Sequence, residues 1–330
     1  MKRLLNILFV LTATIAVSCS KYSVTNLGPG KSYIFFEPDM LKIAETKVDL
    51  ISEFPTAEGT AFGVLGFYNG GNPIFTGYKN NIAYIYKNSD VYKYDNLSPW
   101  VGDQKHTFHA FYPYTDLVNS IAVGSDNIPY ISYTQPTTVA DMKDILGVYT
   151  EVESPVSAVQ LHFQHLLLAF NIVVKNSQTK EVTATGEIEN PSLSITEVVF
   201  KLEDFPSAVN LNLDDDYTVT TSSTATLDQS YTIYSNSTGV QINNGESKVY
   251  GPLLFIPTTE LKYQVTVKYT TQGGASGTYV YPAAGEYKTV TSGFEHGKAY
   301  DLTIEKKNDK FFVGVAPGEW IQTEFEHTFD

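Results

Sequence analysis

Histidine side chains are the first residues of this sequence whose spacing could build a metal or acid–base site. His106 and His109 lie three residues apart in a run typical of a strand, and so do His162 and His165. Because successive side chains of a strand point to opposite faces, this odd spacing separates the two rings of each pair. We therefore predict no metal site from either pair, and we interpret His165 as a hydrogen-bonded histidine of the core.

Three adjacent carboxylates lie in the stretch LDDDY at 213–217. An EF-hand loop is longer and needs a glycine and a closing glutamate, both of which are missing here. We therefore predict a solvent-exposed hairpin tip, with a weak calcium site as the alternative. The paired carboxylates of a glycoside hydrolase are positioned by the fold rather than by sequence spacing, and no acid of this chain lies in a recognisable catalytic motif.

Other catalytic classes also lack their motifs. The sequence has no nucleophile elbow, no phosphate-binding loop and no HExxH zinc motif. Its one cysteine is Cys19 and its one arginine is Arg3, so thiol catalysis in the body of the protein is excluded and arginine clamps for phosphate are missing there. A formal net charge of −14 disfavours nucleic acid as a partner. We predict a protein that is not an enzyme and that needs no cofactor.

The two tryptophans raise a binding alternative. Stacking on carbohydrate requires an exposed aromatic ring, and Trp100 lies in a predicted loop while Trp320 precedes the last predicted strand. We favour the interpretation that each ring closes the end of a sandwich core. The alternative function is a surface lipoprotein that binds glycans or host proteins without polymerising, with Trp100 as a contact residue.

The first residues have the pattern of an exported lipoprotein. Lys2 and Arg3 precede an apolar stretch that is shorter than a membrane span and is typical of a signal peptide. The residues AVSC resemble a bacterial lipobox, in which the cysteine becomes lipidated. We predict a signal peptide at 1–18, lipidation of Cys19, a polar tether at 19–31 and attachment to the outer membrane.

Short apolar or alternating runs fill the rest of the chain and are separated by turn residues. Examples of such runs are AFGVLGFY at 61–68 and YQVTVKY at 263–269, and NGGNP at 69–73 is an example of a turn. Valine, threonine and aromatic residues are common in these runs, as expected of strands. The pattern predicts an all-β protein built from antiparallel β-sandwiches.

Two local signals interrupt this strand pattern. A proline and several charged residues at 151–156 suggest a boundary, so we predict one β-sandwich at 32–154 and a second at 155–330 that includes a terminal strand. The stretch TTVADMKDIL at 137–146 has a weak helical signal and could form one or two turns, with Thr138 as the cap.

The stretch HAFYPYTD at 109–116 concentrates aromatic residues that could line a pocket or belong to a core strand. With the preceding residue included, Phe108, Ala110 and Tyr112 share one face of a strand. Pro113 has no backbone N–H to donate, so we expect it to end the strand. We interpret this stretch as the end of a core strand.

The last eleven residues, from Trp320 to Asp330, alternate strictly between apolar and polar positions. One face is apolar for the most part and the other is acidic. Such a strand could complete the second sandwich or lie in a groove of another subunit. The residues on the apolar face are Ile321, Thr323, Phe325, His327 and Phe329.

Several motifs taken in order resemble those of the fimbrillin-like proteins of type V pili. These motifs follow the lipobox, and the segment with Phe163, His165, Leu167 and Ala169 is the most telling of them. The motifs are AFGVLGFY, SPWVGDQKHTFHAFYPYTD, VQLHFQHLLLAFNIVV, GPLLFIP and FFVGVAPGEW.

The resemblance implies two transthyretin-like β-sandwich domains and lipoprotein precursors that assemble into surface fimbriae. It also implies that a trypsin-like protease removes an N-terminal strand, so that the groove accepts a strand from another subunit. No arginine follows Arg3, which leaves Lys47 as the matching cleavage position and Lys42 and Lys31 as alternatives. The expected partners are other fimbrial subunits or copies of this chain, with Trp320 to Asp330 as the donor strand.

Overall fold

The computed structural model describes residues 32–40, 53–153, 155–291, 293–308 and 310–317. These residues form an almost entirely β structure, which confirms the predicted fold class. Within the described ranges, no helix is both long and apolar enough to cross a membrane.

The described strands are numbered in chain order. The first twelve are β1 (Phe36–Met40), β2 (Ala61–Tyr68), β3 (Asn72–Pro73), β4 (Ala83–Asn88), β5 (Val91–Lys93), β6 (His106–Tyr112), β7 (Ile121–Val123), β8 (Pro129–Thr134), β9 (Leu146–Val152), β10 (Val159–His165), β11 (Leu168–Asn176) and β12 (Lys180–Thr183). The others are β13 (Gly186–Glu189), β14 (Leu193–Pro206), β15 (Ala208–Asn212), β16 (Val219–Thr221), β17 (Thr226–Ile242), β18 (Ser247–Phe255), β19 (Leu261–Thr271), β20 (Ser276–Tyr281), β21 (Lys288–Val290), β22 (Ala299–Lys307) and β23 (Lys310–Pro317).

The first sheet carries the N-terminal part of the chain. Its strands follow the order β1-β10-β9-β6-β2-β4-β5, and β3 pairs with β2. One face of this sheet packs on a core rich in aromatic residues, in which Phe62, Phe108 and Phe163 are fully buried. Edge-to-face contacts, such as the 5.5 Å contact between the Phe62 and Phe163 rings, give this core its geometry.

Two further sheets enclose the core of the C-terminal part. One has the order β18-β11-β22-β23 and the other has the order β17-β14-β19-β20, with β21 also paired to β19. Phe170 from the first of these sheets contacts Phe200 from the second, with ring centroids 5.1 Å apart. The sheets therefore pack face to face, and β12 and β13 form a separate hairpin.

Two strand pairs depart from the predicted antiparallel arrangement. Strand β1 runs parallel to β10, and β11 runs parallel to β22. In both pairs the partners are more than a hundred residues apart in sequence, with Phe36 opposite Val159 and Ala169 opposite Ala299. All other strand pairs between described residues are antiparallel.

The sequence boundary predicted between residues 154 and 155 does not separate the sheets. Strand β10 follows that position, yet it pairs with β1 and β9 of the first sheet, and its Leu161 and Phe163 belong to the first core. The chain passes to the two sheets of the C-terminal part only between His165 and Leu168. The proline and charges at 151–156 mark a connection inside the first sheet, and the number of domains that fold independently stays a prediction.

A fourth sheet joins the two parts of the chain. Its order is β16-β15-β8-β7, so a hairpin from the N-terminal part pairs with a hairpin from the C-terminal part. Beside it, the Nδ1 atom of His109 lies 2.6 Å from the Leu213 carbonyl oxygen, and the Tyr149 backbone N–H donates to the Tyr217 hydroxyl oxygen at 2.9 Å. We call these contacts, together with the fully buried Leu213 side chain, the joint.

The stretch at 109–116 is strand as far as Tyr112, which agrees with the prediction that Pro113 ends the strand. Phe108 and Ala110 are buried in the first core and Tyr112 packs against it, as predicted from their shared face. The strand ends before Pro113, and the helix α1 (Tyr114–Leu117) follows, which the sequence analysis did not predict. The other face of this strand is also buried, because Phe111 belongs to the core that continues into the C-terminal part.

The stretch at 137–146 forms the lower limit of the one or two turns predicted for it. Only a single 3-10 turn forms, at Val139–Asp141, and Thr138 makes no side-chain hydrogen bond to the backbone as a cap. The Thr138 hydroxyl instead donates to an Asp141 carboxylate oxygen at 2.7 Å. Side chains of this segment make tertiary contacts instead. Val139 and Met142 pack against the core of the C-terminal part.

Truncating the buried side chain of the joint should weaken the fold. We expect Leu213→Ala to lower the free energy of unfolding by about 2–5 kcal/mol, because it removes packed atoms and leaves a cavity between the two parts of the chain. Urea titration would measure this loss. The matched control is Val182→Ala, whose side chain is 73% exposed and should change stability by less than about 0.5 kcal/mol. Equal effects of the two substitutions would contradict the assignment.

Acid should weaken the joint through His109. Burial lowers the pKa of His109 below its usual 6.5, while the bond to Leu213 and the charge of Asp214 oppose that shift. The unfolded chain therefore takes up this proton first, so the stability that His109 contributes is complete above about pH 6.5 and is lost as the pH falls below it. We expect His109→Gln to reduce the acid-induced loss in urea titrations. The exposed His162→Gln variant should retain the full loss, and an identical profile for all three proteins would refute the prediction.

Candidate functional site

Strand β1 is the N-terminal edge of the first sheet and is held in a slot with backbone partners on two sides. On one side it pairs with β10 from Phe36 opposite Val159 to Met40 opposite Phe163. On the other side, the residues just before it bridge to a loop, where the Ile34 N–H donates to the Ser98 carbonyl oxygen at 3.0 Å. The Trp100 N–H donates to the Ser32 carbonyl oxygen at 3.1 Å, which completes this slot.

Alternate side chains of this segment enter the first core. Ile34, Phe36 and Met40 are all nearly inaccessible, and Asp39 on the opposite face is exposed. The Phe36 ring lies 5.5 Å from the Phe108 ring in an edge-on arrangement, and it also contacts Phe75. The segment therefore fills a row of pockets in the core, although it contributes only one strand at the sheet edge.

A buried tyrosine forms hydrogen bonds to both the inserted segment and the loop beside it. The Tyr94 hydroxyl donates to the Ile34 carbonyl oxygen at 2.8 Å and accepts from the Ser98 N–H at 3.2 Å. Burial raises the pKa of Tyr94 far above its usual value, so the phenol stays neutral and keeps the proton that it donates. One hydroxyl thus ties the inserted segment to the loop that forms the second side of the slot.

A side-chain hydrogen bond joins β1 to β10 at the outer surface of the sheet. The Gln160 side-chain amide donates to a Glu37 carboxylate oxygen at 2.6 Å, in an exposed position. After Met40, the chain re-enters the described structure before Phe54, whose ring stacks on Phe163 at 4.6 Å. The same core therefore receives side chains from both sides of the connection at 41–52.

Several predicted site residues lie outside the described residues. These are the signal peptide, Cys19 and the three processing positions Lys31, Lys42 and Lys47. The predicted donor strand also lies outside, and its residues are Trp320, Ile321, Thr323, Phe325, His327 and Phe329. Their assignments stay predictions. The last described strand, β23, pairs along β22 up to Pro317 opposite Tyr300.

The structure separates the histidines as predicted. His106 faces the first core, where its ring lies 5.0 Å from the Trp100 ring, whereas His109 faces the joint. His162 is exposed, but His165 is buried and its Nδ1 lies 2.9 Å from a carboxylate oxygen of Asp144. The interpretation of His165 as a hydrogen-bonded core histidine is confirmed. Among the described residues, no three potential ligands of the His, Cys, Asp and Glu types group around a metal position.

Trp100 is a core residue and not an exposed platform. Its side chain is 8% exposed, and its ring makes edge-on contacts with His106 and with Phe108 at 6.0 Å. The preferred interpretation, a ring that closes the end of the core, is confirmed for this residue. Trp100 therefore cannot stack on a glycan.

The carboxylates at 214–216 form a hairpin tip, as predicted. Asp215 and Asp216 are exposed, and Asp214 accepts hydrogen bonds from the backbone N–H and the hydroxyl of Thr218, at 2.8 and 2.5 Å. Sequence analysis missed the role of the flanking residues, since Leu213 and Tyr217 are buried in the joint. Their apolar character on both sides of a charged tip was the signal that could have indicated an anchored loop.

Comparison with known proteins agrees with this fold. The model of the fimbrillin-like family matches residues 46–319. A fimbrial protein from Bacteroides vulgatus is 17% identical, with a TM-score of 0.56 over 78% of this chain and 91% of that one. A candidate cell adhesion protein from Bacteroides ovatus is 14% identical, with a TM-score of 0.53 over 89% of this chain and 99% of that one.

No curated protein matches this sequence. At these low identities the two structures show a shared fold and nothing further, whereas the family model extends from before β2 to the end of β23. That match includes the joint, both sheets of the C-terminal part and the first core except for the side chains of Ile34, Phe36 and Met40, which precede it. The chain belongs to the fimbrillin-like family.

Proposed function

We propose that this protein is a structural or accessory subunit of cell-surface fimbriae that assembles by strand exchange. The observation that carries the proposal is the slot around β1. A single N-terminal segment supplies Ile34, Phe36 and Met40 to the first core, and it is joined to the rest of that core through residues 41–52. That connection contains Lys42 and Lys47, the two nearest candidate cleavage positions.

Cleavage in the connection would leave β1 bound by non-covalent contacts alone. Burial of each of the side chains of Ile34, Phe36 and Met40 stabilises the bound segment by about 1.5–3 kcal/mol. A cut strand would therefore stay in place until another strand competes for the same pockets. Once β1 is displaced, β10 presents unpaired backbone groups beside an apolar slot, which is the geometry that favours addition of a strand.

The C-terminal segment has the side-chain pattern that such a slot requires. In β1 and the residues before it, inward positions alternate with outward ones, as Ile34 and Phe36 show. Phe325, His327 and Phe329 repeat this alternation, and the opposite face carries Glu324 and Glu326. In an assembled fibre, the acidic face would point to solvent while the aromatic residues enter the pockets of the next subunit.

The remaining parts of the proposal concern location and partners. Lipidation of Cys19 would anchor the precursor to the outer membrane, and assembly would place it at the cell surface or in the fimbrium. Its partners would be other fimbrial subunits or further copies of this chain. The function is adhesive and structural rather than enzymatic, which agrees with membership of the fimbrillin-like family.

Limited trypsin treatment should release β1 by cutting in the connection at 41–52. We expect a new N-terminus at Val48, from cleavage after Lys47, or at Ile43, from cleavage after Lys42. The double variant Lys42→Gln/Lys47→Gln should resist this cut and remain monomeric, because β1 stays covalently attached. N-terminal sequencing and electron microscopy would measure both effects.

The matched control for cleavage is Lys180→Gln, which removes a lysine of the exposed β12–β13 hairpin. It should be cut and should polymerise as the wild type does. Polymers that form from the uncut double variant would overturn the proposal that β1 must leave first.

Removing the terminal segment should block assembly without unfolding the subunit. We expect a chain that lacks residues 320–330 to stay monomeric after cleavage, because no strand is left to fill the slot. Phe325→Asp should act in the same way, whereas Glu326→Ala on the opposite face should still polymerise. Size-exclusion chromatography with light scattering would distinguish these outcomes, and normal polymers from the truncated chain would rule out this donor.

A further inference from the structure

A cleft of about 500 Å³ lies beside the outer face of the first sheet, away from β1. Its floor is formed by neighbouring positions of β6 and β9. Thr107 lies opposite Glu151, and His109 lies opposite Tyr149, so these four side chains belong to one face of the sheet. The volume falls within the range of about 300–1,000 Å³ that is usual for small-ligand sites.

Two turns that are hydrogen-bonded to each other form one wall of the cleft. The Asn127 side-chain amide donates to the Gly70 carbonyl oxygen at 3.3 Å, and an Asp126 carboxylate oxygen accepts from the Ile128 N–H at 3.1 Å. Gly71 has a φ of +140°, and a Cβ atom at that position would lie 2.6 Å from the Asn127 side chain. This close fit holds the polar groups of Asn127 and Asp126 at the rim of the cleft before any ligand arrives.

Aromatic rings and amide groups meet inside the cleft. The half-buried Tyr149 ring is the aromatic face of the cleft, and the buried His109 ring supports it from 5.3 Å away at a tilt of 56°. Gln104, Thr107 and Asn127 also line the cleft and offer both donors and acceptors. An apolar platform with several uncharged hydrogen-bonding groups is the arrangement that suits a ring with C–H faces and hydroxyl edges.

The charges of the cleft disfavour an anionic ligand. The Glu151 carboxylate pairs with the Lys105 ammonium group at 2.6 Å and also accepts the Tyr149 hydroxyl. Those two contacts lower the pKa of Glu151, and burial together with the bond to Glu151 raises the pKa of Tyr149, so one stays ionised and the other neutral. The positive charge of Lys105 is thus already balanced by Glu151. Asp126 leaves the lining of the cleft with a net negative charge.

We propose that this cleft binds a neutral saccharide. A sugar ring would stack on Tyr149, and its hydroxyl groups would exchange hydrogen bonds with Gln104, Thr107 and Asn127. The Asp126 carboxylate would accept from a further hydroxyl at the rim. Sialylated, sulfated or phosphorylated ligands would be repelled by Asp126 and would find no unpaired cation in the lining. The cleft is separate from the slot of β1, so this binding does not depend on strand exchange.

A glycan array probed with the mature chain from Cys19 to Asp330 would test the proposal. The array would carry neutral oligosaccharides that end in hexose, deoxyhexose or N-acetylhexosamine, together with their sialylated and sulfated counterparts. We expect binding to neutral members only, and calorimetry with the strongest of them would give a dissociation constant. No binding to any neutral glycan, or stronger binding to the anionic counterparts or to unglycosylated peptides, would overturn the proposal.

Variants of the lining would assign that binding to the cleft. We expect Gln104→Ala to weaken it about tenfold, through loss of one or two hydrogen bonds, and Tyr149→Ala to weaken it further. Tyr149→Phe keeps the ring and should retain most of the affinity. Tyr84→Ala is the matched control, since Tyr84 is a half-exposed tyrosine of the same sheet that does not line the cleft.

Circular dichroism would establish that each variant is folded. If Tyr149→Ala unfolds the chain, Gln104→Ala and Asp126→Asn carry the test, because both positions are on loops at the surface. Unchanged affinity in Gln104→Ala and Asp126→Asn would place the glycan elsewhere. Fibre assembly by the same variants should match the wild type, which keeps this result distinct from the test of strand exchange.

Discussion

The first core of this protein depends on a segment that reaches it from outside its main run of strands. Ile34, Phe36 and Met40 fill pockets between rings that belong to β2, β6 and β10, and their backbone completes the edge of the sheet. Without that segment, β10 would expose both an apolar groove and unpaired backbone groups, a combination that promotes association with other strands. Under the proposed strand exchange, the feature that stabilises the subunit is also the feature that suits it to assembly.

The joint ties this core to the C-terminal part. A sheet with strands from both parts, the fully buried Leu213 and the bond from His109 to the Leu213 carbonyl oxygen hold the two together. His109 also forms part of the floor of the cleft proposed to bind a saccharide. The floor of the cleft is therefore continuous with the joint. Its shape depends on the same contacts that hold the two parts of the chain together.

Local sequence patterns predicted much of the strand content, because each strand buries one face and so alternates along the chain. The pattern failed where tertiary contacts outweigh local preference. At 137–146 the residues have a helical pattern, but Val139 and Met142 are used to cover the second core, and a single turn forms. The charged segment at 151–156 resembled a boundary because a loop inside a sheet and a linker between domains have the same composition.

The sequence by itself determined the all-β class, the separation of the histidine pairs and the motifs that mark the fimbrillin-like family. Only the tertiary structure decided that β1 lies parallel to β10, that Trp100 is buried, and that Gln104, Asn127 and Tyr149 share a cleft. The physical reason is the distance along the chain. Alternation reports which face of a strand is buried, but it carries no information about which distant strand becomes the neighbour.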